Sequence, residues 1–405
     1  MTQEAHSNSR LTVGVLYGFR ALLVLFVCNY HFWQQSWLLQ QVTIAGYPVY
    51  FDFFTRSSYV FVDGMLLLSG FLLYLPHAQA AEYGTPVPDT QTFYWKRFVR
   101  IVPSYLAAVL LMLLMFALPR GEYQSASRAI ADVLTHLSFT FLFFPSTYIH
   151  TPLNVVLWTI GVEVQFYLIF PFLVRFMRKK PALTLCCMAL AGLLFRIVLG
   201  LAVNDLIMLV NQMPSFLDVY ALGMLGSILY VRMLRWTGQA KARRIVSAAS
   251  VVLFALGIFF LLNILRFQST YSAAGFIALR QSQWIIRLPL ALTLLGMMLS
   301  AAFMPGVLQK LLDNRLMRFL AAISMNLYIW HQVISVWLIK PLFSDTLHDN
   351  RNEQIVYTLL CYALSILTAM VFTYGLEQPA ARLLQKQKDR KGEHRHERPA
   401  PPETV

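Results

Sequence analysis

Three ionisable side chains stand inside apolar segments, where a charge is costly: His31 in FVCNYHF, Asp63 in FVDGMLLL and Glu163 in WTIGVEVQFY. Counting helical rise from the segment ends places all three at a similar depth. A carboxylate at that depth needs a partner or a water-filled cavity. An imidazole held by a carboxylate is a common construction for a general base, so the pattern predicts acid–base chemistry. The alternative is a purely structural network of histidine and carboxylates.

Arg20 precedes His31 by eleven residues in the first apolar segment. Eleven residues make about three helical turns, so both side chains lie on one helix face, about 16 Å apart. A guanidinium and an imidazole on one face favour a shared functional role. The alternatives are that Arg20 snorkels to lipid head groups and that His31 is an interfacial histidine with a satisfied hydrogen bond.

A later apolar segment carries Ser324, Tyr328 and His331 at helical spacing, so these side chains also share a face. A packed polar patch and a catalytic patch are both compatible with this spacing.

A basic cluster stands in FYWKRFVRIVPSY, at the start of the third apolar segment. Arg97 and Arg100 are three residues apart and face the same way, with Lys96 beside them. Guanidinium groups on one face suit a polyanionic ligand such as a nucleotide. The same cluster is also a signal of membrane topology.

The elements that must position these groups are membrane helices. Of the 405 residues, 58% are hydrophobic and only 13% are charged, against about 25% charged in an ordinary soluble domain. The mean hydropathy is +0.57. This composition excludes a soluble enzyme, a nucleic-acid module and a secreted disulfide scaffold, because a water-soluble fold cannot bury that much apolar surface. We find no run of strand-like alternation, so the sequence predicts an all-α integral membrane protein.

Ten segments are long enough to span a bilayer. They are approximately 13–33, 57–76, 99–118, 155–175, 182–201, 215–232, 246–265, 284–303, 318–340 and 354–377. The shorter stretch 133–145 is expected to form a re-entrant or interfacial helix. With ten spans, most basic loop residues fall on one side, and the positive-inside rule then places both termini in the cytoplasm. The predicted parts are a cytoplasmic segment 1–12, a membrane domain 13–384 and a disordered basic tail 385–405.

Other polar residues receive simpler interpretations. Arg196, Asp205 and Asp218 are expected to anchor helix ends, and Arg287 is counted with the outer loops. The four cysteines, none in a CxxC pair, are expected to pack in the core and offer neither a metal cage nor a redox motif. They are Cys28, Cys186, Cys187 and Cys361.

Six of these segments resemble, in order, the motifs of the membrane-bound acyltransferase-3 family. They are GFRALLVLFVCNYH, VDGMLLLSGFLL, RFVRIVPSY, WTIGVEVQFY, SMNLYIWH and the Glu377–Pro379 pair. The resemblance extends over about residues 14–384. The sequence departs from the family pattern at Ala21, Gly64, Met65, Thr159 and Met325. None of these changes removes a predicted catalytic group, but they leave the acceptor undefined.

The resemblance implies transfer of an acyl group, usually acetyl, from cytoplasmic acyl-CoA to a hydroxyl of an extracytoplasmic or lipid-linked carbohydrate. Under it, the CoA phosphates are held by Lys96, Arg97 and Arg100, and Arg20 steers either the pantetheine-bearing end or the lower phosphates. His31 acts as general base or as acyl carrier. The remaining assignments are Asp63 and Glu163 to orient His31, Tyr328 and His331 to donate to the oxyanion, and Ser69, Trp158 and Tyr167 to bind substrate.

Three other functions remain open on sequence grounds. A proton-coupled transporter with a buried His/Asp/Glu relay would also place ionisable groups in its spans, although no internal repeat is visible. A metal site from His31, Asp63, Glu163 and His331 has suitable ligand types but no local ligand spacing. A non-catalytic lipid-binding scaffold would not require the six motifs. We expect a bacterial cytoplasmic membrane protein whose partners are the bilayer, a carbohydrate or glycolipid acceptor and glycan-assembly enzymes, without nucleic acid or metal.

Overall fold

The computed structural model describes residues 2–87, 89–343 and 345–384. The basic tail 385–405 lies outside the described residues, so its disorder stays a prediction. The first helix begins at Thr2, and its candidate membrane span begins at Gly14.

The described chain is almost entirely helical. Its helices are α1 Thr2–Ser36, α2 Asp52–Ser57, α3 Phe61–Tyr83, α4 Thr90–Met112, α5 Ala126–Leu137, α6 Pro145–Tyr148, α7 Trp158–Lys179, α8 Pro181–Ala202, α9 Leu217–Trp236, α10 Ala240–Ala273, α11 Phe276–Phe303, α12 Gly306–Gln309, α13 Arg315–Val333 and α14 Arg351–Phe372. Strands β1 Gln41–Ile44 and β2 Tyr47–Tyr50 pair antiparallel, with Val42 opposite Val49. π-Helical turns at Leu113–Ala117, Ile334–Ile339 and Thr373–Glu377 extend α4, α13 and α14.

Within the described ranges, ten helices are long and apolar enough to cross a membrane, which confirms the predicted number. Because successive crossings alternate in direction, Thr90 and Lys179 lie at one end of the bundle, and Ser36 and Val155 lie at the other. We call the first the basic end and the second the far end.

The short stretch near 133–145 forms no crossing helix. Its first part belongs to α5, an amphipathic helix whose apolar side chains face outward and whose polar side chains face the protein interior. Ile130 and Leu134 are 59% and 58% exposed, whereas Asp132 and His136 are fully buried. An outward apolar face with an inward polar face suits a helix that lies against lipid.

Close packing of helices at glycines sets the rotation of α3 against α9. A Cβ on Gly223 would lie 2.2 Å from the Leu67 carbonyl oxygen, and one on Gly70 would lie 2.8 Å from that of Tyr220. Small residues permit such backbone approach in membrane bundles. This rotation decides which neighbours the polar side chains of α3 can reach.

Two minor expectations were wrong. The segment QVTIAGYPVY forms an exposed hairpin, because Ala45 and Gly46 both have positive φ and turn the chain tightly. Cys28 and Cys361 are buried as expected, but Cys186 and Cys187 are exposed on α8. That helix has only 17% of its apolar window buried in the protein, so its outward face is available to lipid.

Candidate functional site

A large cavity opens at the basic end of the bundle. Its volume is about 1070 Å³, at the upper limit of ordinary ligand pockets. Four arginines line it, together with one carboxylate: Arg20, Arg97, Arg100, Arg318 and Glu377. We call this cavity the basin.

The basin narrows into an inner chamber of about 70 Å³. Arg20, Arg97 and Arg100 line both spaces, so the two are continuous past these side chains. The walls specific to the chamber include Thr159, Glu163, Tyr167, Tyr328 and Ser69. The motifs of five sequence segments therefore meet around one small polar space.

Glu163 supplies the carboxylate of the inner chamber. The Tyr167 hydroxyl donates a hydrogen bond to Glu163 Oε2 at 3.2 Å. The three arginines of the chamber outnumber this carboxylate, and clefts lined by one sign of charge concentrate counter-ions. The chamber and basin are thus suited to an anionic ligand that enters from the basic end.

A pair of histidines lies beyond the chamber, toward the far end. His331 follows Tyr328 by three residues on α13, a rise of about 4.5 Å, and its ring centroid lies 5.0 Å from that of His31 on α1. His331 is fully buried. A π-helical turn begins at Ile334, directly after this histidine, and such turns occur frequently at functional sites.

Hydrogen bonds determine the tautomer of each imidazole. His31 Nδ1 lies 2.9 Å from the Gln34 side-chain oxygen, and His331 Nδ1 lies 2.6 Å from the Tyr328 carbonyl oxygen. With the Gln34 amide oriented so that its oxygen faces the ring, both partners are acceptors, and Nδ1 carries the proton in each neutral imidazole. This leaves Nε2 of His31 with a lone pair, which is the form that a general base requires.

Neither carboxylate holds His31, so the predicted histidine–carboxylate contact was wrong. Asp63 Oδ2 accepts a hydrogen bond from Arg287 Nε at 2.9 Å, and Glu163 faces the chamber. Helical rise predicted the common depth of the three groups but carries no information about rotation between helices. The packing of Gly64 against Leu23 of α1 and Leu294 of α11 leaves Asp63 beside α11.

The partner of Asp63 is Arg287, and the prediction that Arg287 belongs to an outer loop was wrong. Arg287 is only 3% exposed and lies inside the crossing helix α11, not in an outer loop. Its Nη1 donates to Ser215 Oγ at 2.6 Å and to the Val210 carbonyl oxygen at 2.8 Å. Its guanidinium carbon also stands 3.9 Å from the Phe216 ring centroid. An arginine within WIIRLPLALTLL was the available signal, since Asp63 already required a buried cation.

A second buried ion pair adjoins the first. Arg196 binds Asp218 through two hydrogen bonds, at 2.6 and 2.5 Å, and donates to the Ser215 carbonyl oxygen at 2.5 Å. These two residues join α8 to α9 in the interior and do more than anchor helix ends. The two buried ion pairs together form what we call the buried charge cluster: Asp63, Arg196, Asp218 and Arg287.

Asp205, in contrast, pairs with Arg280 near the surface. Despite partial desolvation, hydrogen bonds from Arg280 and the Ile207 amide lower the pKa of Asp205.

The other predicted residues divide between the cavities and the far end. Ser69 and Tyr167 line the inner chamber. Lys96 lines a separate cavity beside Arg97. Trp158 lines neither the basin nor the chamber and is stacked on Phe216, with ring centroids 6.0 Å apart. Among the residues that the structure describes, no group of three or more His, Cys, Asp or Glu side chains is arranged to hold a metal ion.

Residues 16–374 match the family model Acyl_transf_3, described as an acyltransferase domain. The chain belongs to the acyltransferase-3 family. No curated protein and no solved structure matches it. The matched region of this acyltransferase contains Arg20, His31 and all walls of the inner chamber, and Glu377 lies just beyond it. The protein is therefore a multi-pass membrane acyltransferase.

Proposed function

We propose that this acyltransferase moves an acetyl group from acetyl-CoA, bound at the basic end, to a hydroxyl of a carbohydrate or glycolipid at the far end. The observation that carries the proposal is the pair of connected spaces that lead inward from the basic end. A cationic basin narrows to a small polar chamber, and His31 with a free Nε2 stands beyond it. Donor and acceptor can thus meet across the membrane without either crossing it.

The donor side rests on the arginines that line the basin and the chamber. Guanidinium groups bind phosphate oxygens in a bidentate manner, so Arg97 and Arg100 hold phosphates of the donor. Arg20 lies on the face that leads toward His31 and directs the pantetheine arm into the chamber. The thioester then lies near Tyr328, whose hydroxyl donates to the developing oxyanion.

His331 takes a different role from the one assigned on sequence grounds. Its Nδ1–H already donates to the Tyr328 carbonyl oxygen, so its free Nε2 is an acceptor in the neutral ring. An acceptor cannot donate to the oxyanion, so that role is left to Tyr328. The His331 ring instead packs against the ring of His31, with centroids 5.0 Å apart.

The acceptor side rests on the surroundings of His31 at the far end. Trp33 and Trp37 lie with ring centroids 5.7 Å apart, and Trp37 is 57% exposed. Nearby, Gln40 Nε2 donates to Asn29 Oδ1 at 3.1 Å. Aromatic faces beside amide groups match the apolar ring faces and hydroxyls of sugars.

The proposed step balances as one proton transfer and one acyl exchange. His31 Nε2 takes the proton of the acceptor hydroxyl while the hydroxyl oxygen attacks the thioester carbonyl carbon. The C–S bond then breaks, the ester remains on the acceptor, and the CoA thiolate receives the proton from His31. Glu163 balances part of the positive charge of the chamber arginines.

We further propose that the protein resides in a bacterial cytoplasmic membrane, with the basic end and both termini in the cytoplasm, beside glycan-assembly enzymes. A single cysteine placed near His150 should react with an impermeant reagent added outside cells, and one near Lys180 should not. The opposite pattern would reverse the proposed direction of transfer.

The test of function uses purified protein in proteoliposomes with acetyl-CoA and glycan extracted from the native membrane. We expect free CoA and acetylated glycan in equal amounts, and neither with His31→Gln. Mass spectrometry of surface glycans from a deletion strain should identify the acceptor by the loss of an acetyl group. Solute uptake that needs no CoA, without acetylated product, would favour a proton-coupled transporter.

A further inference from the structure

A third cavity, of about 390 Å³, lies beside the basin between α3, α4 and α7. We call it the side cavity. Arg97 and Leu72 line all three spaces, so the side cavity communicates with the inner chamber past Arg97. Of the site residues predicted from the sequence, Lys96 and Arg97 line it.

The side cavity has a strongly basic rim. Its lining includes four cationic side chains, those of Lys96, Arg97, Arg175 and Arg178, and one carboxylate, that of Asp89. Asp89 is already engaged, because its Oδ1 accepts the Thr92 amide at 2.9 Å and caps α4. This hydrogen bond lowers the pKa of Asp89, so the carboxylate stays ionised at the positive end of the helix.

The basin differs from the side cavity in that one of its four arginines forms a salt bridge. Arg318 of the basin donates to Asp313 at 2.5 Å, and Glu377 adds a carboxylate to the basin wall. Among the described residues, no salt bridge includes any cation of the side cavity. Unneutralised cations around a pocket favour an anionic ligand.

Aromatic rings form the wall of the side cavity. Phe93 and Phe170 stack with centroids 5.1 Å apart and planes 26° apart. His77 lies 5.8 Å from Phe170, and its buried Nδ1 has no hydrogen-bond partner among the described residues. A flat apolar wall with an unsatisfied ring nitrogen is suited to a planar heterocycle that carries its own polar edge.

We propose that the side cavity binds the adenosine phosphate end of the donor, with the adenine against Phe93 and Phe170 and the 3′- and 5′-phosphates of the adenosine at Lys96, Arg175 and Arg178. The remaining phosphate, next to the pantetheine arm, is held by Arg97 and Arg100. This inference rests on the proposed function, since it assigns one part of the same donor. The pantetheine arm then passes Arg97 into the inner chamber. The wider basin remains as the route by which the donor enters and free CoA leaves.

The phosphates of an anionic lipid head group share this chemistry, so the test separates the two sources. Binding of adenosine 3′,5′-bisphosphate to the purified full chain is measured by calorimetry. Arg178→Gln and Lys96→Gln should each weaken it about tenfold, as expected for a charge-assisted hydrogen bond. Arg232→Gln, an exposed arginine at the same end that lines none of the three cavities, is the matched control and should bind normally. Equal affinity in all variants would overturn the proposal.

The aromatic wall has its own test. Phe93→Leu should weaken binding of the bisphosphate but leave pyrophosphate binding unchanged, because pyrophosphate has no base to stack. If both probes weaken equally, or if vesicles containing anionic lipid displace the bisphosphate fully while neutral vesicles do not, the cavity is a lipid phosphate site and the proposal fails.

Kinetics distinguishes failure of this inference from failure of the proposed function. Arg178→Gln should raise KM for acetyl-CoA about tenfold without changing KM for acetyl-pantetheine, which lacks the nucleotide. An equal rise for both donors would contradict the assignment while leaving the acyltransferase reaction intact. Bisphosphate binding that depends on Arg178, in a protein that consumes no acetyl-CoA, would keep the site and reject the function.

Discussion

Two groups of charges inside this membrane protein have similar composition but different surroundings. In the buried charge cluster, each arginine meets an aspartate, as in Arg287–Asp63 at 2.9 Å and Arg196–Asp218 at 2.5 Å. In the basin and chamber, Arg20, Arg97 and Arg100 border open space. Paired and enclosed charges hold helices together, whereas charges that border a cavity are available to a ligand. Residue type alone therefore did not reveal which arginines have which role.

The largest expected effect belongs to His31, which tests whether the open region carries the chemistry. Glutamine can keep a hydrogen bond but cannot accept a proton at neutral pH. His31→Gln should lower the transfer rate by about 10²–10⁴-fold, the usual contribution of a general base. The measurement is kcat with saturating acetyl-CoA, alongside the melting temperature and CoA affinity, which should not change. Normal turnover in the folded variant would exclude His31 as the base and direct attention to His331.

The next effect concerns the buried charge cluster, which should affect stability first. Asp63→Ala leaves Arg287 without its buried partner and should cost about 3–5 kcal/mol of folding free energy. The double change Asp63→Leu with Arg287→Met removes both charges and should recover most of that loss. Thermal unfolding in detergent compares the three proteins. A double variant as unstable as the single one, or one that loses turnover while fully folded, would break the distinction between the two regions.

A smaller effect is expected at the donor arginines, where binding rather than stability should change. Arg100→Ala should weaken CoA binding about 10- to 100-fold, because a charge-assisted hydrogen bond to phosphate is lost. Arg100→Lys should restore only part of it, since an ammonium lacks the bidentate geometry. Calorimetry with CoA gives the affinity. Unchanged binding in both variants would reduce this arginine to a topology signal.

The smallest effect is expected for a pair that is close but exposed. Arg235 donates to Glu82 at 2.6 Å, yet the Arg235 side chain is 70% exposed. Solvent screens such a pair, so Arg235→Gln should change neither the melting temperature nor CoA affinity. A clear fall in melting temperature would show that the contact distance of a charged pair, and not its burial, decides whether the pair stabilises the fold.

Local features of the site were predictable because they lie on single helices. Arg20 and His31 share α1, Tyr328 and His331 share α13, and helical rise sets their spacing whatever the bundle does. The ten crossings also followed from apolar length. The hairpin at 41–50 was missed because its alternation is short and its turn depends on positive φ at two residues.

What the sequence by itself determined is the environment, the helices and the family, because apolar composition requires a bilayer and hydrogen bonding within a bilayer requires helices. The tertiary structure alone decided the partners. The depth of a residue along a helix is set by its residue number. The rotation of a helix about its axis is set by contacts with its neighbours, such as that of Gly223 of α9 with Leu67 of α3. The rotation of the helices places Asp63 in hydrogen-bonding contact with Arg287 and the His331 ring beside the His31 ring. Both pairs join residues more than 200 positions apart in the chain.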